Sequence, residues 1–436
     1  MLVWWLTSRL RPLVALLAVT GIAGAMFDAS AQQQQQDPPK RPGQSKPAKP
    51  AQKPPASTAT DKPAKKPTIA QRTEGLPPSQ VGIGTLAQFA FMVDPQTSTV
   101  LLFKDADKPM HPSSMAKMMT IYIVFEELAA GRIKPETKFR VSERAWRMQG
   151  SKMFVDINSE VSVDELLKGM IVLSGNDACV VIAEGLAGTE ESFAERMNKR
   201  ARELGTTGTV FKNSSGWPVE GQATTARDLA LIAWHTIQDY PQYYPHYAQT
   251  NWSYNNIKQD NRNRLLKITP GTDGLKTGHT EEGGYGQAVS AIRDGRRLIL
   301  VVNGLGSMEE RAQETARLME WGFRESTNTT IFKAGDTVAE APVWLGEQDK
   351  VPLVVARAVQ VTTPTGTPAS PKVVARYDGP LPAPIIKGTK LGTAAVSLPD
   401  GRIIEYPLEA GADVPRQGVV GRIFTLARHY LFGWLS

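Results

Sequence analysis

The stretch SMAKMMTIYIVFEELAAG, residues 114–131, constrains the fold more than any other part of the chain. It reads as a helix that stops at Gly131, and its apolar residues run nearly all the way round. Such a helix is stable only in the middle of a domain, where other elements cover every side. The chain must therefore build layers around it. The same segment carries Lys117, a charge that a buried position strips of water. Ser114 lies three residues before Lys117 and Ser113 four, and on a helix either offset brings the side chains together.

The flanking sequence supplies those layers. Two apolar runs around Asp94-Pro95-Gln96-Thr97 predict a β-hairpin, and SVDELLKGMIVLSGNDACVVIAEGLAG predicts two helices meeting near Ser174-Gly175-Asn176. ESFAERMNKRARELG and TARDLALIAWHTIQ are further helices, strands with glycine-containing turns begin at Thr272, and ERAQETARLMEWGF closes the unit with a helix. Strands at both ends with helices between predict an α+β domain, residues 81–328, whose terminal segments share one sheet. Residues 329–415 are short β-rich runs with a turn at Pro399-Asp400-Gly401, a small all-β domain. No period of 20–50 residues recurs, which argues against a repeat architecture.

The two chain ends differ from this middle. Residues 1–31 have Arg9 and Arg11, an apolar run and Ala29-Ser30-Ala31, the pattern of a cleaved secretory signal, with an uncleaved anchor helix as the alternative. Residues 32–80 are rich in Pro, Gln, Lys and Ala and have too few large apolar residues to offset ordering, so they read as an extended tether. The chain is +7 overall, of which residues 1–31 hold +1 and residues 32–78 hold +6, so everything after residue 78 is balanced. The basicity belongs to the tether and gives no support to a nucleic-acid-binding domain. A basic tether suits an anionic membrane or wall polymer, or is a plain spacer. Residues 416–436 place Val420, Ile423, Phe424, Ala427, Tyr430, Leu431 and Trp434 on one helical side, opposite Arg416, Arg422 and Arg428. Too short to span a bilayer, this helix suits either the membrane interface or its own domain's surface.

The five histidines show no metal-ligand spacing, and no cofactor is expected. The single cysteine, Cys179, sits in an apolar run and reads as a small buried hydrophobe. What remains is serine and lysine chemistry. A serine hydroxyl needs an adjacent base, and a lysine is one only where burial or a neighbouring cation, here Lys276, lowers its pKa. Taken alone, Ser-x-x-Lys is also the pattern of an ordinary surface pair. Two further motifs follow in order, Ser174-Gly175-Asn176 and Lys276-Thr277-Gly278, and together the three are the signature of active-site-serine penicillin-recognising enzymes.

From about residue 82 to its C-terminus the chain resembles the D-alanyl-D-alanine carboxypeptidases, the low-molecular-mass penicillin-binding proteins. The matching stretches are HPSSMAKMMT, GMIVLSGNDACV, TARDLALI, DNRNRLL, DGLKTGHTEEGGY and APVWLG. The resemblance implies a penicillin-binding, β-lactamase-like α+β fold, a helical cluster on an antiparallel sheet, then the small β domain and the amphipathic helix. It implies Ser114 as nucleophile, Lys117 as its base and Ser174 as proton relay. Asn176, Lys276, Thr277, Gly278 and His279 would bind the peptidoglycan pentapeptide's D-Ala-D-Ala end, with Arg262 and Arg311 nearby. Asp228 would anchor a loop. Backbone N–H groups of Ser114 and His279 would hold the oxyanion. β-Lactams would acylate Ser114, in a periplasmic protein attached to the inner-membrane surface by its last helix. A D,D-endopeptidase is the near alternative. A β-lactamase is opposed by the absence of Glu-x-x-Leu-Asn between the second and third motifs, and a non-catalytic wall-binding protein by the intact triplet. Between the two serines, Pro112-Ser113 reads as the helix start with Ser113 near the N-cap, which leaves Ser114 in the first turn to do the chemistry.

Overall fold

The computed structural model describes residues 82–367, 371–397 and 403–432. The signal at 1–31, the tether at 32–80, the turn at 399–401 and Trp434 lie outside the described residues.

The predicted hairpin forms as β1 (Phe89–Asp94) and β2 (Thr99–Lys104). Strands β3 (Thr272–Gly274), β4 (Thr277–Thr280), β5 (Gly284–Arg293) and β6 (Arg296–Leu305) come from the far end of the domain. They join the hairpin in one antiparallel sheet of order β2-β1-β6-β5-β3, with β4 also on β5. Phe91 pairs with Val301, so the two ends of the domain share the sheet as expected.

Alternation along β6 sends its side chains to two separate cores. Ile299 and Val301 join the cluster under the helices, whereas Leu298, Leu300 and Val302 pack with Leu318 and Met319 of the closing helix. The helical layer comprises α1 (Lys117–Ala129), α2 (Val163–Ile171), α3 (Asn176–Ala187), α4 (Glu190–Glu203) and α5 (Ala226–Asp239), and α6 (Met308–Glu325) covers the other face.

Helix α1 is the buried centre that its composition demands. Every residue from Lys117 to Phe125 is fully buried. The rings of Tyr240, Tyr243 and Tyr247 gather around Phe125. Its C-terminus closes at Gly131 (φ +67°), with Arg132 N donating to Glu127 O and Gly131 N to Leu128 O. That is the Schellman pairing, which satisfies carbonyls at the helix end.

The second core is all-β. It is built from β7 (Ser326–Phe332), β8 (Thr337–Trp344), β9 (Lys350–Val355), β10 (Val359–Pro364), β11 (Lys372–Tyr377), β12 (Leu381–Pro382), β13 (Lys390–Ser397) and β14 (Ile403–Ala410). Strand β7 starts directly at the end of α6 and pairs with β10. The joint is pinned by Arg296, which donates to Asp94 Oδ2 (2.8 Å) and Ser326 Oγ (2.8 Å). The final helix α7 (Val419–Phe432) leaves Val420 82% and Phe424 73% exposed, so these side chains do not pack on the β domain. Among the described residues, no helix is long and apolar enough to cross a membrane.

Because Phe125 has no accessible surface and a fixed aromatic surround, Phe125→Ala is expected to cost about 3–5 kcal/mol. Urea unfolding should show a lower midpoint at unchanged slope, and an unshifted midpoint would contradict the central placement of α1.

Candidate active site

The chain enters α1 through one 3-10 turn, Ser113–Ala116, with Pro112 at its start and no side-chain cap. Ser113 is therefore not the N-cap that its position suggests. Its φ is +50° and its hydroxyl turns instead to Thr280 Oγ1 on β4 (3.3 Å). Strand β4 approaches this turn closely: a Cβ on Gly278 would sit 2.9 Å from Ser113 Cβ. A strand residue 167 positions later competes for the hydroxyl. Ser114, half-buried, faces the cleft.

Lys117 is 0% exposed. Its Nζ lies 2.9 Å from Ser114 Oγ, 2.7 Å from Asn176 Oδ1 and 2.6 Å from Ser215 O. Burial holds its pKa below the ordinary lysine value of 10.5, and Cys179, Asp177 and Glu190 oppose that only in part. The geometry specifies what a neutral amine does here. The Asn176 amide is oriented by donation from Nδ2 to Gln149 O (2.7 Å), so its oxygen must face the lysine. Ser215 offers a carbonyl, which only accepts. A neutral amine gives its two protons to those two oxygens, and its lone pair is left for the Ser114 hydroxyl. This is the disposition that general-base activation of a serine requires.

The other two motifs reach the same point. Ser174, between α2 and α3, adopts φ +60°, and its Oγ accepts from Lys276 Nζ (2.9 Å). Lys276 is also buried, and its pKa falls well below 10.5 through burial first and repulsion from Lys117 next. Thr277, Gly278 and His279 lie on β4, with the His279 ring stacked on Tyr285 at 3.9 Å. Arg311 on α6 is 4% exposed, and burial with the nearby Arg264 brings its pKa down to about 10. It donates to Arg262 O (3.3 Å), while its Nε has no partner among the described residues.

All ten residues predicted from the sequence come together. Ser114, Ser174, Asn176, Arg262, Thr277, Gly278, His279 and Arg311 line a cleft of about 540 Å³, with Lys117 and Lys276 buried beneath it. A larger groove of about 750 Å³ lies at the joint with the β domain, but two of its arginines are already engaged, Arg293 by Glu320 and Arg296 by Asp94. Among the described residues no cluster of His, Cys, Asp and Glu could hold a metal ion. Cys179 is buried, its thiol pushed up to about 12. Asp228 accepts from Gly208 N (2.8 Å) and Thr209 Oγ1 (2.7 Å), a loop anchor apart from the cleft residues.

Sequence reasoning missed the turn Asn213–Trp217. Asn213 Oδ1 accepts from Gly216 N (2.8 Å) and Trp217 N (3.1 Å), which delivers the Ser215 carbonyl to Lys117 and Trp217 to the cleft wall. Asn-Ser-Ser-Gly is legible as a turn, but the group it supplies is a carbonyl that every residue has. Gly216 has φ +79°, and a Cβ there would stand 1.8 Å from Ser113 O. Gly216→Ala should therefore displace the Ser113–Ala116 turn, lower the melting temperature and slow labelling by fluorescent penicillin about tenfold or more. Wild-type labelling by this variant would contradict the close approach.

Comparison with known proteins matches this arrangement to a family. Residues 78–306 fit the D-alanyl-D-alanine carboxypeptidase family of S11 peptidases, and residues 327–416 fit the C-terminal domain of penicillin-binding protein 5. The D-alanyl-D-alanine carboxypeptidase DacA of Haemophilus influenzae is 36% identical over 358 residues, 80% of this chain and 90% of the relative. The crystal structure of penicillin-binding protein 5 from Haemophilus influenzae superposes with a TM-score of 0.70 at 35% identity, covering 78% of this chain and 100% of that one. Penicillin-binding protein D2 from Listeria monocytogenes in its ampicillin-bound form matches with a TM-score of 0.50 at 30% identity, over 54% of this chain and 97% of that one. Three ordered serine and lysine motifs converging on one cleft, on a domain followed by this β module, make the chain a member of the S11 D-alanyl-D-alanine carboxypeptidase family.

Proposed function

We propose that the protein is a serine D-Ala-D-Ala carboxypeptidase that removes the terminal D-Ala from peptidoglycan pentapeptide stems. The support that carries this reading is the contact set of Lys117, two fixed acceptors and Ser114 Oγ at 2.9 Å. Ser114 Oγ attacks the carbonyl of the D-Ala-D-Ala bond while its proton passes to the neutral Lys117 amine. The negative charge on the former carbonyl oxygen rests on the backbone N–H groups of Ser114 and His279. Ser174 delivers a proton to the departing amine, the C–N bond breaks, and D-Ala leaves an ester on Ser114. The proton held by Lys117 replaces the one Ser174 gave up, so the amine is neutral again. Water then adds to the ester, and Lys117 takes the water's proton and returns it to Ser114 Oγ as the ester bond breaks.

Substrate selection follows from the cations. Arg262 and Arg311 line the cleft, and Lys276, buried beneath it, lies close enough to be repelled by both. A substrate ending in a free carboxylate supplies the missing charge, with Thr277 as hydroxyl donor and Asn176 fixing the peptide amide. β-Lactams present a similar carboxylate and a reactive amide, and the similar penicillin-binding protein D2 from Listeria monocytogenes has been crystallised in an ampicillin-bound form. They are expected to acylate Ser114.

Intact pentapeptide muropeptides incubated with the protein should lose one D-Ala by mass spectrometry, and Ser114→Ala should abolish both this and fluorescent penicillin labelling. Cleavage of cross-linked dimers alone would favour the endopeptidase, and absence of labelling in the wild type would defeat the catalytic reading.

The protein also belongs, in this proposal, outside the cytoplasm at a membrane surface. The signal-like residues 1–31 and the exposed apolar side of α7 support this. The mature chain should co-sediment with anionic phospholipid vesicles, and a variant ending at residue 415 should remain in the supernatant. Equal sedimentation of the two would remove α7 as the anchor.

A further inference from the structure

Ser215 O is one of the two acceptors that orient the Lys117 amine, so whatever fixes this carbonyl also fixes the base. The carbonyl shares a peptide plane with Gly216 N, and Asn213 Oδ1 holds that nitrogen at 2.8 Å. The preceding residue, Ser214, is held from two sides. Its carbonyl accepts from Thr120 Oγ1 (2.6 Å), one turn beyond Lys117 on α1. Its backbone N and its Oγ both donate to a single oxygen, Glu190 Oε1, at 3.0 and 2.6 Å.

Glu190 is the first residue of α4 and does not line the cleft. It is nonetheless buried, with 4% of its surface exposed, and its second oxygen accepts from Arg144 Nη2 at 2.7 Å. A carboxylate that faces inward at this depth, with both oxygens committed, exceeds what complementing the helix dipole requires. We propose that Glu190 is a positioning residue for the Lys117 amine, acting through the Ser214–Ser215 backbone from outside the cleft. This assignment rests on the general-base reading of Lys117.

The charge of Glu190 has a second effect on the same amine. The ionisable groups that face Lys117 are Asp177 and Cys179 from α3, Glu190 from α4, and Lys276 from the sheet side. Asp177 and Glu190 favour the ammonium and work against burial, whereas Lys276 repels it. Asp177 is occupied by the backbone N–H groups of Met153 and Phe154. Glu190 differs in that its charge is partly compensated by Arg144, itself 48% exposed and shared with Glu191.

Acylation requires the neutral amine, so its rate rises with pH as Lys117 loses its proton. Glu190→Gln keeps an oxygen for Ser214 and removes the charge. The ammonium then loses support, and the rising limb should move to lower pH by about half a unit. Arg144→Ala leaves the Glu190 charge less compensated and should move the limb to higher pH. Glu190→Ala strands the two Ser214 donors and should lower the plateau rate about tenfold to a hundredfold, most of which Glu190→Gln recovers.

The experiment is the pH profile of second-order acylation by a fluorescent penicillin for the wild type and the three variants. Opposite displacements of the limb in Glu190→Gln and Arg144→Ala, with plateau loss confined to Glu190→Ala, are expected, and a purely architectural residue would not move the limb. Superposition of the Glu190→Gln profile on the wild type overturns the proposal. Should Glu190→Ala fail to fold, the limb positions of the other two variants still decide it. A wild type that does not acylate at all defeats the general-base reading itself and is distinguishable from this result.

Discussion

The side-chain amine of Lys117, with no accessible surface and hydrogen-bonded to Asn176, Ser215 and Ser114, is the interaction around which the rest of the domain is arranged. Lys117 is the first residue of the central helix, and the residues that follow it are buried without a break to Phe125. Taking a charge into such a core costs several kcal/mol unless hydrogen bonds replace the lost water. Asn176 from the start of α3, Ser215 from the Asn213 turn and Ser114 from the preceding turn make that replacement. The burial that makes the charge costly also lowers the pKa, so stability and reactivity have one source. The three segments must meet at Lys117 for the domain to fold, and when they meet the cleft is assembled.

The two buried lysines differ through their partners. For Lys117, Asn176 and Ser215 take two directions and leave the third to Ser114 Oγ. Lys276 donates to Ser174 Oγ and to Thr277 O, and it sits under a cleft where Arg262 donates to Gln259 Oε1 and Arg311 to Arg262 O, neither to a carboxylate among the described residues. In the proposed mechanism one lysine therefore moves the proton while the other, with the arginines, selects a substrate that ends in a carboxylate. Repulsion between the two lysines lowers Lys276 further, and a substrate carboxylate would favour its charged form.

Much of this was legible in the sequence because the signals are local or carried by side chains. The apolar circumference of residues 117–125, the glycine stop at Gly131 and the hairpin around Asp94–Thr97 depend on near neighbours, and each forms as read. The three serine and lysine motifs are visible because their chemistry resides in the residue types. Ser113 was misread because its cap position is a local inference, and a tertiary partner, Thr280, takes the hydroxyl. Ser215 was invisible because it contributes a backbone carbonyl. Glu190 was hidden in a first-turn Glu-Glu pair, where acids are commonplace, and only the fold shows that one of the two faces inward.

The claim on which the site depends is that Lys117 is a base because it is buried. Its side-chain amine can be titrated directly by heteronuclear NMR on lysine-labelled protein, with Lys117→Arg to assign the resonance. The expected result is a midpoint below the ordinary lysine value of 10.5, since desolvation outweighs the acidic groups nearby. A midpoint at or above 10.5 would mean that Lys117 remains a cation at neutral pH, and it would contradict the assignment of Lys117 as the group that receives the Ser114 proton.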